Sequence, residues 1–300
     1  MRTVYLGTSA FAAAILTRLA NSDHRPSLVV TRPDRPRGRG RTLQSPPVAD
    51  RARELGIALD QPQSVNDDAA RERIAAARPD AVIVCAFGAL IREPLLSDYE
   101  MINVHPSLLP RWRGAAPVER AIMAGDTATG VAIMRLTAGL DSGPVCLVQR
   151  EAIADTDTYG TLAARLETIG GEMLVRVLDQ HPPFEEQDET GVTYAEKIGP
   201  EDRRLDPTTK SAAELDRVVR ALTPHIGALL PLDGETLLGV REAAPFAGVA
   251  PQLAPGTFGA TDGHLLLGTT DGILELKTLQ PSGGKPMDAA SYLRGHGLPH

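Results

Sequence analysis

Four short apolar runs, residues 4–6, 28–30, 81–86 and 101–104, constrain what this chain can fold into more than any other feature. They are rich in Val and Ile, and apolar throughout, the mark of strands covered on both faces. Helix-like patterns at 12–20, 48–55, 69–77 and 117–124 fall between or after them, and 131–136 and 145–148 supply two further strand candidates. Strand–helix alternation at this spacing predicts an α/β fold: a Rossmann-like, mostly parallel sheet with helices on both faces. A long helix over 159–178 closes the unit.

The character changes after residue 180. The stretch 181–191 holds two prolines and the acids Glu185, Glu186, Asp188 and Glu189, and reads as an exposed linker. After one more helix, 212–222, short alternating strands follow at 235–240, 264–268 and 273–279, separated by Thr261-Asp262-Gly263 and Thr270-Asp271-Gly272. Asp-Gly pairs are strong hairpin signals, so a small β-barrel is expected. The expected division is 1–185, a linker over 186–204, and a smaller domain over 205–300.

Composition narrows the function. The net charge of −7 disfavours a general nucleic-acid binder, so any RNA contact must come from a local basic patch. Aromatics at 4% argue against a broad base-stacking surface. No apolar run approaches the roughly 18 residues of a membrane span, and the first residues lack a signal-peptide layout. Cys85 and Cys146 lie in apolar stretches and read as reduced core thiols of a cytoplasmic protein. The seven His are scattered without ligand spacing, so no metal is implied. No Gly-x-Gly-x-x-Gly follows the first strand, which argues against a nicotinamide enzyme.

Chemistry-bearing residues cluster after the fourth run. Asn103 and His105 sit two apart in a strand, so they project from one face about 7 Å apart. Strand ends of a parallel sheet are where ligands usually bind. The next twelve residues, 106–117, hold three prolines, a glycine, Arg111, Arg113 and the single Trp, Trp112, and form a stiff shaped loop. Farther on, Gly139-Leu140-Asp141-Ser142-Gly143-Pro144 brackets an Asp between glycines. Residue types alone leave the plainer readings open: a structural His105, a Trp112 that covers core, and an Asp141 that serves a turn.

Together these segments carry a resemblance. Asn103-Val104-His105-Pro106-Ser107-Leu108-Leu109-Pro110 with Gly139-Leu140-Asp141-Ser142-Gly143 resembles the signature of the 10-formyltetrahydrofolate-dependent formyltransferases. The resemblance implies that Asn103, His105 and Asp141 are the catalytic trio and that Ser107, Leu108, Leu109 and Pro110 bind the folate. Arg111 to Pro117, Thr193-Tyr194-Ala195-Glu196-Lys197 and Leu279 to Lys285 are similar to the members that formylate methionyl-initiator tRNA. For those members it implies an OB-like, tRNA-binding C-terminal barrel, with 10-formyltetrahydrofolate as formyl donor. The sequence departs from the family at Gly7-Thr8-Ser9-Ala10-Phe11, which lacks the common Pro-Asp, and at Pro106, where many members have Gly.

The segment 31–46 is the local basic patch. Arg32, Arg35, Arg37, Arg39 and Arg41 stand against one acid, Asp34, and no hydrophobic face exists to order them. A solvated loop and an arm that orders on RNA both fit this composition. The resemblance favours an arm that engages the acceptor stem, with Arg39 central. Lys197, Arg203 and Arg204 are lesser candidates for phosphate contacts, and isolated surface cations of this kind often serve solubility alone. The chain is expected to act as a monomer. Formyl transfer to a small amine, and a catalytically silent RNA-binding module, are the competing readings. The arginine patch speaks against the first and the intact trio against the second.

Overall fold

The computed structural model describes residues 1–37, 42–233, 236–249 and 251–299. Its chain separates into two compact units: Met1–Pro117, Ala128–Ala152 and Ala163–Ala195 form the first, and Val118–Thr127, Ile153–Leu162 and Glu196–His300 the second.

The first unit is built on β1 (Thr3–Gly7), α1 (Ala10–Ala20), β2 (Pro26–Val30), the short pair β3 (Arg35–Arg37) and β4 (Thr42–Gln44), α2 (Pro47–Glu54), β5 (Ala58–Asp60), α3 (Asp68–Ala76), β6 (Ala81–Cys85), α4 (Leu95–Asp98) and β7 (Met101–His105). There follow β8 (Arg113–Gly114), α5 (Pro117–Ala124), β9 (Ala128–Arg135), β10 (Val145–Ala152), α6 (Tyr159–Gln180) and β11 (Tyr194–Ala195), with α5 and α6 each running into the second unit. The main sheet has the order β10-β9-β7-β6-β1-β2-β5. β1, β2, β5, β6 and β7 are parallel, the first two and β6 with the buried apolar runs expected of strands covered on both faces, and β9 and β10 are antiparallel additions. Alternate residues serve opposite faces: Val4, Leu6, Val82 and Val84 pack with Val30 and Phe87 on one, while Tyr5 and Ile83 point the other way, all of them buried.

Helix α1 starts where Ser9 caps it, its hydroxyl accepting from the Ala12 N–H. Gly7 just before it is a point of close approach, since a Cβ there would lie 2.7 Å from the Tyr5 ring and 2.9 Å from Ala12 Cβ. The residues expected at strand and helix positions in this half form those elements. β5 has only three residues, too few for a periodic signal, and the pairing of β3 with β4 has none.

The second unit contains α7 (Ala212–Leu222), β12 (Ala228–Pro231), β13 (Leu237–Pro245), β14 (Phe258–Thr261), β15 (His264–Gly268), β16 (Ile273–Gln280), β17 (Met287–Asp288) and α8 (Ala289–His296). The sheet is antiparallel in the order β12-β13-β16-β15-β14, with β17 beside β16. Its core is aliphatic, with Leu215, Leu222, Val240, Leu265, Leu267 and Leu276 wholly or almost wholly buried. Ser211 and Glu214 close a capping box on α7. Both Asp-Gly turns sit where the sequence puts them, with Gly263 at φ 83° and Gly272 at φ 81°, a region open to glycine at little cost.

Candidate active site

Strand β7 carries two polar side chains into the interior. Asn103 pairs across to Val84 on β6 and Met134 on β9, and His105 is the strand's last residue. Both are buried, at 7% and 4% exposure. Among the described residues the Asn103 amide makes no hydrogen bond although the residue is 7% exposed, and its amide atoms are not sealed from solvent, which suits a donor open to a ligand.

The imidazole of His105 is held from both sides. Its Nε2 lies 2.9 Å from the carbonyl oxygen of Trp112. A carbonyl can only accept, so Nε2 carries the hydrogen, and in the neutral ring the lone pair is on Nδ1. That nitrogen faces Asp141 Oδ2 at 3.7 Å, too long for a hydrogen bond and close enough for an ion pair once the ring is protonated. The Asp141 carboxylate is held in turn by the Gly114 N–H, which donates to Oδ2 at 2.9 Å. The connection between β9 and β10 thus brings Asp141, at a left-handed φ of 44°, to the histidine.

The proline-rich loop is shaped by its own hydrogen bonds. The buried Ser107 hydroxyl donates to Arg111 O at 2.7 Å, which closes the turn and leaves the hydroxyl no role as a nucleophile. Leu108 packs on β9 where Gly130 makes room; a Cβ there would lie 2.6 Å from Leu108 Cδ2. Leu109 and Pro110 are half-buried at the surface of the loop. Trp112, also half-buried, adopts φ 64°, with the Arg111 guanidinium 4.4 Å from its ring. Gly114 follows at φ 125°, and a Cβ there would lie 2.7 Å from Ala195 O. Only glycine serves at that position.

The sequence reading gave no supporting role to Thr193, Glu189 or Gln187, the first two named there only within a family-like segment and a linker. The Trp112 N–H donates to Thr193 Oγ1 at 2.9 Å, and β8 pairs with β11, Gly114 opposite Ala195. Arg113 is buried and forks onto Glu189, with its Nε donating to Gln187 Oε1. The Gln187 amide donates to both Asp141 O and Gly143 O, at 2.8 and 2.7 Å. The acidic stretch read as a linker is exposed, yet it ties the His105 and Asp141 loops together. A buried arginine needs a carboxylate, which was a signal for Glu189. Gln187 gave none.

The arginine patch contributes the antiparallel pair β3–β4, Arg35 opposite Gln44 and Arg37 opposite Thr42. Backbone pairing orders what side chains could not. Arg35 is exposed; Arg39 and Arg41 lie outside the described residues. Lys197 is exposed, Arg204 stands 3.8 Å from Glu201, and the Arg203 guanidinium donates to the carbonyls of Gly227 and Ile226 at 3.1 and 3.2 Å. Arg203 therefore holds a turn of its own unit. Both thiols are free; burial pushes Cys85 up to about 12 and Cys146 up to about 11, so neither is an activated nucleophile. Cys146 is only half-buried, on the outermost strand β10, and is not a core residue as expected. Among the described residues no group of His, Cys, Asp and Glu is placed to hold a metal, and no helix is long and apolar enough to cross a membrane.

Comparison with known proteins gives the family of the chain. Residues 1–178 match the family model described as formyl transferase, and residues 197–297 that of the formyl transferase C-terminal domain. A methionyl-tRNA formyltransferase of Gluconobacter oxydans is 40% identical over 100% of this chain and 98% of its own length. Another, of Dechloromonas aromatica, is 42% identical over 99% and 97%. Among solved structures, HypX from Aquifex aeolicus in complex with tetrahydrofolic acid superposes with a TM-score of 0.70 at 19% identity, over 99% of this chain and 48% of that longer protein.

Proposed function

The chain belongs to the methionyl-tRNA formyltransferase family, and from that premise we propose that it moves the formyl group of 10-formyltetrahydrofolate to the α-amine of methionyl-initiator tRNA. The product is N-formylmethionyl-tRNA, the initiator of translation. The observation that carries the chemistry is the pairing of an unengaged Asn103 amide with a His105 whose Nδ1 faces Asp141.

The unprotonated amine attacks the formyl carbon, a tetrahedral oxyanion forms, and the bond from that carbon to N10 breaks. Asn103 donates to the oxyanion through its free amide. His105 cannot offer Nε2–H, which the Trp112 carbonyl holds, so it acts through Nδ1. That atom takes the proton the amine loses, stabilises the oxyanion as imidazolium, and returns the proton to the departing N10. Asp141 stabilises the imidazolium and is itself oriented by Gly114 N–H. No covalent enzyme intermediate is needed.

Folate fits the loop 107–110 on two grounds visible here: Leu109 and Pro110 offer a half-buried apolar edge, and Ser107 and Leu108 fix its shape from within. The tRNA is held by Arg35, Arg37, Arg39 and Arg41 of the arm, by Lys197 and Arg204, and by the antiparallel C-terminal domain over 205–300, with 1–185 as the catalytic domain and 186–204 between them. The protein acts as a monomer in the cytoplasm, a compartment that suits its two free thiols.

The test is formyl transfer from 10-formyltetrahydrofolate to methionyl-initiator tRNA, free methionine and methionyl-elongator tRNA. Transfer to the first alone is expected. Equal transfer to free methionine would overturn the reading.

A further inference from the structure

A second feature lies on the sheet edge where β7 ends. The loops after β2, β5 and β6 enclose a cleft of about 260 Å³, none of whose lining residues is acidic. Arg32 and Arg92 border it. Among the described residues neither guanidinium has an ion-pair or hydrogen-bond partner, in a chain with net charge −7. Thr31 also lines the cleft; it is fully buried, and among the described residues its hydroxyl has no hydrogen-bond partner. An orphan buried hydroxyl beside two unneutralised arginines is what an anion-binding site looks like before its ligand arrives.

The walls are fixed in advance. Asn66 donates to Leu90 O and accepts from the Arg92 N–H, both at 2.9 Å, which joins two of the loops. Thr8 donates to Phe87 O at 2.7 Å, and Gln61 to Arg32 O at 3.0 Å. Phe87 and Leu90 supply an apolar side to the cleft, and Leu90 is 64% exposed. Cationic, hydroxyl-bearing and apolar groups together match a phosphate with its ribose and base. Arg32 stands three residues before β3, so the cleft continues the arginine arm along the chain towards the strand end that bears His105.

We propose that this cleft binds a backbone phosphate and the adjoining sugar of the single-stranded acceptor end of the tRNA, with Arg32 and Arg92 as phosphate ligands. At about 260 Å³ the cleft is far smaller than a base-paired stem, which leaves a single-stranded segment as its occupant. This rests on the tRNA reading above, and it adds a site that guides the strand between the arm and the catalytic trio.

The experiment is steady-state formylation by the full chain and by Arg32→Gln, Arg92→Gln and the double variant, across a range of salt. KM for methionyl-initiator tRNA should rise about tenfold per arginine, as for loss of one charge-assisted hydrogen bond. At saturating tRNA, kcat should hold, and the salt slope of tRNA binding should fall by roughly 0.7 per arginine. Arg32→Lys should recover part of the affinity, since it keeps the charge. As a direct probe, the trinucleotide CpCpA should compete with tRNA for the unaltered chain and about tenfold less well for the double variant. Unchanged tRNA KM and salt slope would overturn the proposal. So would a raised KM for 10-formyltetrahydrofolate alone, which would give the cleft to the folate's carboxylates. An unaltered chain that formylates no tRNA would sink the functional reading instead, and CpCpA binding would then decide the cleft by itself.

Discussion

Asn103 and Gly114 act by different means, and their replacement should read out differently. Asn103 supplies one donor and holds no hydrogen bond of the fold among the described residues, so Asn103→Ala should lower turnover about 10²- to 10³-fold, the usual cost of one oxyanion donor. The melting temperature should stay close to that of the unaltered chain; a retained rate would remove Asn103 from the mechanism. Gly114 supplies backbone at φ 125° against Ala195 O. Gly114→Ala should therefore destabilise the fold by about 1–3 kcal/mol, the usual cost of such strain, and lower turnover as well by displacing the N–H that holds Asp141. Thermal denaturation with parallel kinetics checks both; a stable, active Gly114→Ala chain would mean the β8–β11 contact can give way. The placing of Asn103 and His105 on one face was legible because residues at i and i+2 of a strand must share a face, and the approach of Asp141 to His105 because a Gly-flanked Asp stood in the same signature. The histidine tautomer was not legible, since the Trp112 carbonyl that sets it belongs to the chain path and not to any side chain.

Among the elements, strands and helices with a clear period appear where the pattern put them, while β3, β4, β5, β8 and β11 do not announce themselves. Each is two or three residues long, too short for alternation to register. The arm is the sharpest case, since β3 and β4 lack an apolar face and meet through backbone pairing, Arg35 opposite Gln44 and Arg37 opposite Thr42. Helix α5 shows a tie that no local pattern encodes: Arg120 forks onto Asp202 at 2.7 and 2.9 Å, within one compact unit though 82 residues away. The hydrogen bond from Arg120, chiefly, holds the Asp202 carboxyl below its ordinary range. A carboxyl depressed in the folded state contributes stability above its unfolded value and loses it as pH falls through the folded one. Arg120→Gln should thus cost about 1 kcal/mol at neutral pH, with the difference from the unaltered chain fading below roughly pH 4. Urea titrations at pH 7 and pH 3 check this; an equal deficit at both would assign the loss to packing.

For the molecule as a whole, the charge balance matters more than any single contact. With a net charge of −7, the proposed grip on a polyanion would rest on the concentrated basic arm, so tRNA affinity should fall steeply with salt. Replacing Arg35, Arg37, Arg39 and Arg41 by Gln should reduce that slope by roughly 0.7–0.9 for each arginine that contacts a phosphate. Formylation rates across an ionic-strength series measure it; an unaltered slope would leave the arm without a role in RNA binding. The two-part organisation was readable from the change in periodicity after residue 180. The assignment of Val118–Thr127 and Ile153–Leu162 to the second unit was not, because their contacts to α7 and its neighbours are made far along the chain.

The atoms that orient His105 and Asp141 are a main-chain carbonyl and a main-chain N–H, those of Trp112 and Gly114. Truncating side chains to alanine leaves both peptide groups in place, and only Gly114→Ala, which adds a Cβ and moves the chain, reaches one of them. A survey of this loop by side-chain truncation would find Trp112 dispensable in proportion to its indole alone and would undercount the site. The informative perturbations are those that change the chain itself: a residue inserted or deleted between 106 and 114, or an ester in place of the amide at 114. The loop's length, more than the identity of its side chains, is then what its descendants are least free to alter.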